Sequence, residues 1–149
     1  CIRDSAFLEH AVVFGNHYGT SKKWVSDNLQ AGYDVILEID WQGAEQTRAW
    51  VASQGQTQSV GIFILPPSLS ELRKRLTGRG QDDDDVIAMR MAEAIAEISH
   101  YRGADYLIIN DVFDDALSDL RAIIRNNRLQ SSYQTDVHRA LIDDLLRER

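Results

Sequence analysis

Apolar residues recur along this chain in two rhythms, one of period two and one near 3.6. Residues 7–14 read as a strand that carries Glu9. Gly15-Asn16 is a turn signal, and Tyr18-Gly19-Thr20 follows it. Ser21 is placed to cap a short amphipathic helix that runs through Ala31 and ends at Gly32. Residues 35–39 are apolar apart from Glu38 and predict a buried parallel strand. The spacing of Trp41, Ala44, Thr47, Trp50 and Val51 predicts a helix over 41–53, closed by Gly55. Residues 60–65 predict a second buried strand, stopped by Pro66-Pro67. Ser68, with Glu71 three residues on, has capping-box spacing and opens a helix that ends at Gly78. A charged loop over 79–85 leads to a long helix over 86–101 and a third buried strand over 106–109. A helix over 113–128 begins beside the acidic cluster of Asp111, Asp114 and Asp115, which suits a helix N-terminus. Residues 137–146 predict a final amphipathic helix. Strands alternate with helices, so the pattern predicts an α/β fold around a parallel sheet.

Composition narrows the function classes. With 149 residues, 44% of them apolar, the chain has enough material for one domain with a core. No apolar run reaches the length of a bilayer span, and no targeting segment is visible. The formal net charge of −7 argues against a nucleic-acid backbone or an anionic membrane as main partner. It leaves an anionic mononucleotide open, because a local arginine cluster overrides global charge. The one cysteine, Cys1, excludes an intramolecular disulfide, and a cytoplasmic location is expected. His10, His17, His100 and His138 show no metal-ligand spacing, and no metal site is expected within the chain. The aspartates at 82–85 read as a solvated loop and helix start. The opening Cys1-Ile2-Arg3-Asp4 has the character of a helix interior, so the chain is expected to be a fragment.

Three segments carry candidate chemistry. The run Glu9-His10-Ala11-Val12-Val13-Phe14-Gly15-Asn16-His17-Tyr18-Gly19-Thr20, followed by Ile36-Leu37-Glu38-Ile39-Asp40-Trp41-Gln42-Gly43, resembles the GMP-binding region of guanylate kinases. Guanine presents N1–H and an exocyclic amine on one edge, and a carboxylate accepts from both. Adenine offers an acceptor at N1, which a carboxylate repels. The resemblance implies that Glu9 and Asp40 read that edge, that Thr20 donates to O6, and that the Tyr18 phenol donates to the GMP phosphate. On residues alone, Glu9 also reads as a solvated strand carboxylate, and Asp40 as a helix N-cap. Glu38, two residues before Asp40, stays open between a site role and a carboxylate satisfied by its neighbours.

Leu72-Arg73-Lys74-Arg75-Leu76-Thr77-Gly78-Arg79-Gly80 resembles the start of the guanylate kinase lid, and Arg90 opens the match to the helix after it. The resemblance implies that Arg75, Arg79 and Arg90 stabilise the transferred phosphoryl group as catalytic residues. Tyr106-Leu107-Ile108-Ile109-Asn110-Asp111 is the third segment, and its counterpart implies that Asn110 lies near the adenine of ATP.

The resemblance implies a three-layer nucleoside monophosphate kinase fold of the phosphate-loop type, with a small GMP-binding lobe and a lid. It divides the chain into residues 1–34 of the GMP-binding region, a core over 35–74, a lid region over 75–90, and core and C-terminal helices over 91–149. The implied activity is ATP-dependent phosphorylation of GMP to GDP with Mg²⁺. None of Lys22, Lys23 and Lys74 follows a glycine, so the chain contains no phosphate-loop motif. A phosphate loop is therefore expected upstream of Cys1, and the chain alone is expected to be inactive. Loss of the loop's strand would expose a sheet edge, so self-association is a further expectation. The alternative is a catalytically inactive guanylate-kinase-like module that binds phosphorylated peptides.

Overall fold

The computed structural model describes residues 6–13, 16–55, 58–78 and 83–147. They fall into two compact units, the first Cys1–Ile62 with Asp83–Asp105 and the second Phe63–Asp82 with Tyr106–Arg149.

The first unit begins with an antiparallel ribbon of β1 (Phe7–Val13) and β2 (Asn16–Ser21). Its register runs regularly from Val13↔Asn16 to Glu9↔Thr20, then slips by one residue, so that Phe7 faces Ser21 and Leu8 is the extra residue of a bulge. Bulges re-aim side chains. Here consecutive residues Leu8 and Glu9 are both buried, 5% and 4% exposed, where a regular strand would send them to opposite faces. The ribbon passes directly into α1 (Lys22–Gln30). Ser21 Oγ accepts from the Trp24 amide at 3.3 Å, which is the cap its position predicts. The helix ends in a Schellman arrangement: the Tyr33 amide donates to Asn28, the Gly32 amide donates to Leu29, and Gly32 takes φ +84°. Val25 is buried.

Residues 33–40 contain no strand. The apolar run at 35–39 predicted one, but a strand needs a neighbouring backbone to complete its ladder, and no described segment pairs with it. Ile36 is 74% exposed in consequence. This segment delivers Asp40 to the start of α2 (Trp41–Gln54), which ends at Gly55 with φ +72°.

Helix α2 packs on β1 through a side-chain clasp. The His10 amide donates to Gln46 Oε1 at 3.1 Å, and Gln46 Nε2 donates to the His10 carbonyl at 3.3 Å. The primary amide thus stands in for a neighbouring strand and satisfies both backbone groups of His10.

Helix α4 (Asp84–Ile98) belongs to the same unit. Asp84 and Asp85 lie in its first turn, and Ile87 and Met91, four apart, are its buried positions. The helix predicted over 86–101 therefore starts and stops slightly earlier, and a short 3₁₀ turn, Tyr101–Gly103, follows. Arg48 Nη1 donates to the Gly103 carbonyl at 2.8 Å and ties that turn to α2.

The second unit is built on β3 (Ile62–Leu65), whose first residue falls in the first unit, and β4 (Tyr106–Ile109). The Asp105 amide donates to Gly61 and the Asn110 amide to Leu65, so the register advances in the same direction on both strands and the pair is parallel. Helix α3 (Leu69–Thr77) opens with Ser68 Oγ accepting from the Glu71 amide at 3.1 Å. Glu71 does not complete the capping box. Its carboxylate accepts instead from Arg75 Nε at 3.1 Å and Lys74 Nζ at 3.4 Å.

Helix α5 (Phe113–Arg128) has the predicted bounds. Ala116 and Ile123, seven residues apart on one face, are buried, and α5 packs on β4, whose Ile108 is 2% exposed. The helix predicted over 137–146 is α7 (Arg139–Arg147), and an unpredicted helix, α6 (Ser131–Val137), precedes it, with His138 outside helical geometry between them. The polar sequence of α6 has no apolar period to announce it, and its start is held by Gln134 Nε2, which donates to the Arg128 carbonyl at 2.8 Å. Among the described residues no helix is long and apolar enough to cross a membrane.

Two predictions follow from this packing. Gln46→Ala removes both bonds to His10, so it is expected to cost about 1–2 kcal/mol and to speed hydrogen exchange at the His10 amide, measurable by denaturation and amide exchange. The Glu71 carboxyl is held below the ordinary glutamate range, chiefly by its hydrogen bond with Arg75; desolvation opposes this as the next largest effect, and Lys74 adds a smaller lowering. A carboxyl more acidic in the folded than in the unfolded chain adds stability that is present above its unfolded-state pKa. That stability is lost as pH falls through its folded-state pKa. Glu71→Gln should therefore lower stability slightly at neutral pH and flatten the acid limb, the difference from the parent vanishing in strong acid, as thermal melts from neutral into acid pH would show.

Candidate functional site

The register of β1 and β2 sets Glu9 opposite Thr20, and Tyr18, two residues before Thr20, shares that face of the ribbon. Thr20 Oγ1 donates to Glu9 Oε1 at 2.6 Å. This bond gives a buried carboxylate a donor inside the protein, as its burial requires. Tyr18 is exposed, so its phenol is open to a ligand.

Asp40 is the N-cap of α2, and its Oδ1 accepts from the Gly43 amide at 2.8 Å. The cap reading of Asp40 thus holds, but the cap occupies only one of its oxygens. Oδ2 has a long contact of 3.5 Å with Gln42 Nε2. Asp40 also lies beside Glu9. A Cβ built on Gly43 would stand 3.2 Å from Glu9 Oε2, 3.4 Å from Asp40 Oδ1 and 3.1 Å from the Ile39 Cβ. Both carboxylates therefore converge on one bare Cα. Gly43 itself is buried.

Two further contacts hold this turn. The Trp41 amide donates to Glu97 Oε1 at 2.7 Å, across 56 residues of sequence. The Trp41 ring stacks on His100 with centroids 3.7 Å apart and planes 2° from parallel. Four amides at a helix N-terminus lack intrahelical partners, and here two of them receive carboxylates.

Glu9, Thr20 and Asp40 are thus brought together in the first unit, with Tyr18 on the same ribbon face. Arg90, also in the first unit, is half-buried on α4. Glu38 is exposed. In the second unit Arg75 meets Asn110. Arg75 Nη1 donates to the Asn110 carbonyl at 2.8 Å, and Nη2 has a longer contact of 3.4 Å with the Asp111 carbonyl. With Glu71 on Nε, the guanidinium spans from α3 to the end of β4. Arg79 lies outside the described residues. Among the described residues no group of three or more His, Cys, Asp or Glu side chains is placed to hold a metal ion.

Sequence reasoning assigned no role to Gly43, Gln46, Glu97 or His100. A glycine in a helical first turn is a signal of close approach and marks Gly43. Nothing in the local pattern links Glu97 and His100 to Trp41, because their partnership is made by the fold.

The guanylate kinase family model matches residues 1–127. The chain is 57% identical over 145 residues to the guanylate kinase of Saccharophagus degradans, covering 97% of this chain and 68% of that protein. It is 58% identical over 141 residues to the guanylate kinase of Salmonella typhimurium, covering 95% and 66%. Among solved structures, the guanylate kinase from Anaplasma phagocytophilum matches with a TM-score of 0.67 at 31% identity, covering 88% of this chain and 64% of that one. The chain therefore spans about two thirds of the length of the relatives it matches. With a family model over most of its residues and relatives more than half identical along it, the chain belongs to the guanylate kinase family.

Proposed function

We propose that this chain carries the guanine-reading part of an enzyme that phosphorylates GMP to GDP with ATP. The observation that carries the reading is the meeting of Glu9 and Asp40 at Gly43, with Thr20 bonded to Glu9. Two acceptors side by side suit the two donors on the guanine edge. The Thr20 hydroxyl gives its hydrogen to Glu9 in this structure. When guanine docks, N1–H and the exocyclic amine become donors to the carboxylates. The Thr20 hydroxyl is then released to rotate and donate to O6. Adenine supplies no such donor at N1, and its docking would leave an acceptor facing an acceptor. Discrimination thus rests on unpaired polar groups, the source of large ratios between similar bases.

The remaining roles follow the family pattern. Tyr18 donates to the GMP phosphate, and Arg75, Arg79 and Arg90 offset charge on the transferred phosphoryl group. Asn110 lies near the adenine of ATP. ATP and Mg²⁺ belong to the whole protein. The described residues offer no cluster for the ion, so no step is assigned through it. The fixed position of Arg75 on two backbone carbonyls gives it a second duty, as a strut between α3 and the end of β4.

Calorimetry of the full-length protein should show GMP bound more tightly than AMP. Equal binding of the two would remove the guanine-reading assignment and favour the inactive peptide-binding module. Glu9→Gln replaces one acceptor with a donor, and should weaken GMP binding by about 1.5–3 kcal/mol while leaving AMP binding little changed. Gly43→Ala adds a methyl where the two carboxylates converge. Alanine also favours helix, so GMP affinity should fall about tenfold without a matching fall in melting temperature. A variant that binds GMP as the parent does would show that the convergence at Gly43 is not needed.

A further inference from the structure

We infer that Glu97 is a positioning residue for base discrimination, acting through the first turn of α2. The inference rests on the guanine reading of Glu9 and Asp40. Glu97 ends its reach on the Trp41 amide, the first residue of α2 and the immediate neighbour of Asp40. The peptide that carries this amide is the one that joins Asp40 to Trp41, so its orientation sets where the Asp40 side chain starts. The Trp41 ring is held at the same time by His100, three residues after Glu97. One end of α4 and the turn after it therefore grip Trp41 at its backbone and at its ring.

This grip fixes the one feature of Asp40 that its own cap leaves loose. Oδ1 is bound to the Gly43 amide, whereas among the described residues Oδ2 has only the 3.5 Å contact with Gln42. A bond at that length is weak. The direction of Oδ2 is then governed by the backbone beneath it, and Glu97 holds that backbone by a charge-assisted bond at 2.7 Å. The bond also supplies a negative charge at the positive end of α2. Arg90 lies seven residues before Glu97 on α4, two turns up on the same helical face. The helix that carries this family arginine is therefore also the helix that steadies the base reader.

The test uses the full-length protein with GMP and AMP as probes, in the parent form and as E97A, E97Q and E97D. The parent is titrated first, and absence of a GMP preference there overturns the guanine reading and the role of Glu97 together. With that preference present, E97A should weaken GMP binding about tenfold and leave AMP binding unchanged, so the preference falls by the same factor. Amide exchange at Trp41 should quicken in E97A. E97Q keeps an oxygen that accepts from the Trp41 amide and should retain most of the preference. E97D, one methylene shorter, is the gentler variant should E97A not fold, and should lose part of the preference. An unchanged preference in the folded variants, whatever their melting temperatures, overturns the positioning role while the guanine reading stands.

Discussion

The positive end of α2 is the point on which the first unit depends. Carboxylates brought together repel one another and lose water, and they remain together only where donors and favourable potential replace what is lost. Here the donors are the Gly43 amide for Asp40, the Trp41 amide for Glu97 and the Thr20 hydroxyl for Glu9. The helix dipole adds a field of the right sign for the first two. Gly43 then removes the one side chain that would stand where Glu9 and Asp40 meet.

Around that point the architecture is economical. The ribbon sets Glu9 across from Thr20, Gln46 clasps α2 to the strand that bears Glu9, and Glu97 clasps the same helix from α4. Among the described residues of this unit few apolar side chains are deeply buried, Leu8, Val25, Ile87 and Met91 being the ones that are. Directional polar contacts therefore do much of the work of orientation. Such contacts set angles that non-directional apolar burial leaves free.

How much of this was legible in the sequence differs by kind of signal. Local chemistry read well: Ser21, Ser68 and Gly55 punctuate helices where their side chain or backbone freedom predicts. The acidic cluster of Asp111, Asp114 and Asp115 marked the start of α5, whose bounds are the predicted ones. The run at 35–39 misled, because hydrophobicity reports a wish for burial and says nothing of whether a partner strand is at hand. Helix α6 was missed for the opposite reason, since its residues are polar and its stability comes from capping and neighbours. The family motif singled out Glu9, Thr20 and Asp40, and residue chemistry gave the reason to expect guanine there. Neither named Glu97 or Gln46, whose partners lie 56 and 36 residues away and are fixed only by tertiary structure.

The bulge at Leu8 has a consequence for how this ribbon tolerates change. From Val13↔Asn16 to Glu9↔Thr20 the ladder is regular, so the pairing of the two polar residues is counted from the hairpin end alone. The bulge then acts as a slip joint. A residue gained or lost before Leu8 is taken up there and is not transmitted to Glu9. Within the described ladder, residues 9–13 against 16–20, no such slack exists, and one residue added inside either strand would shift the pairing. The molecule is thus tolerant of length on one side of its carboxylate and intolerant on the other.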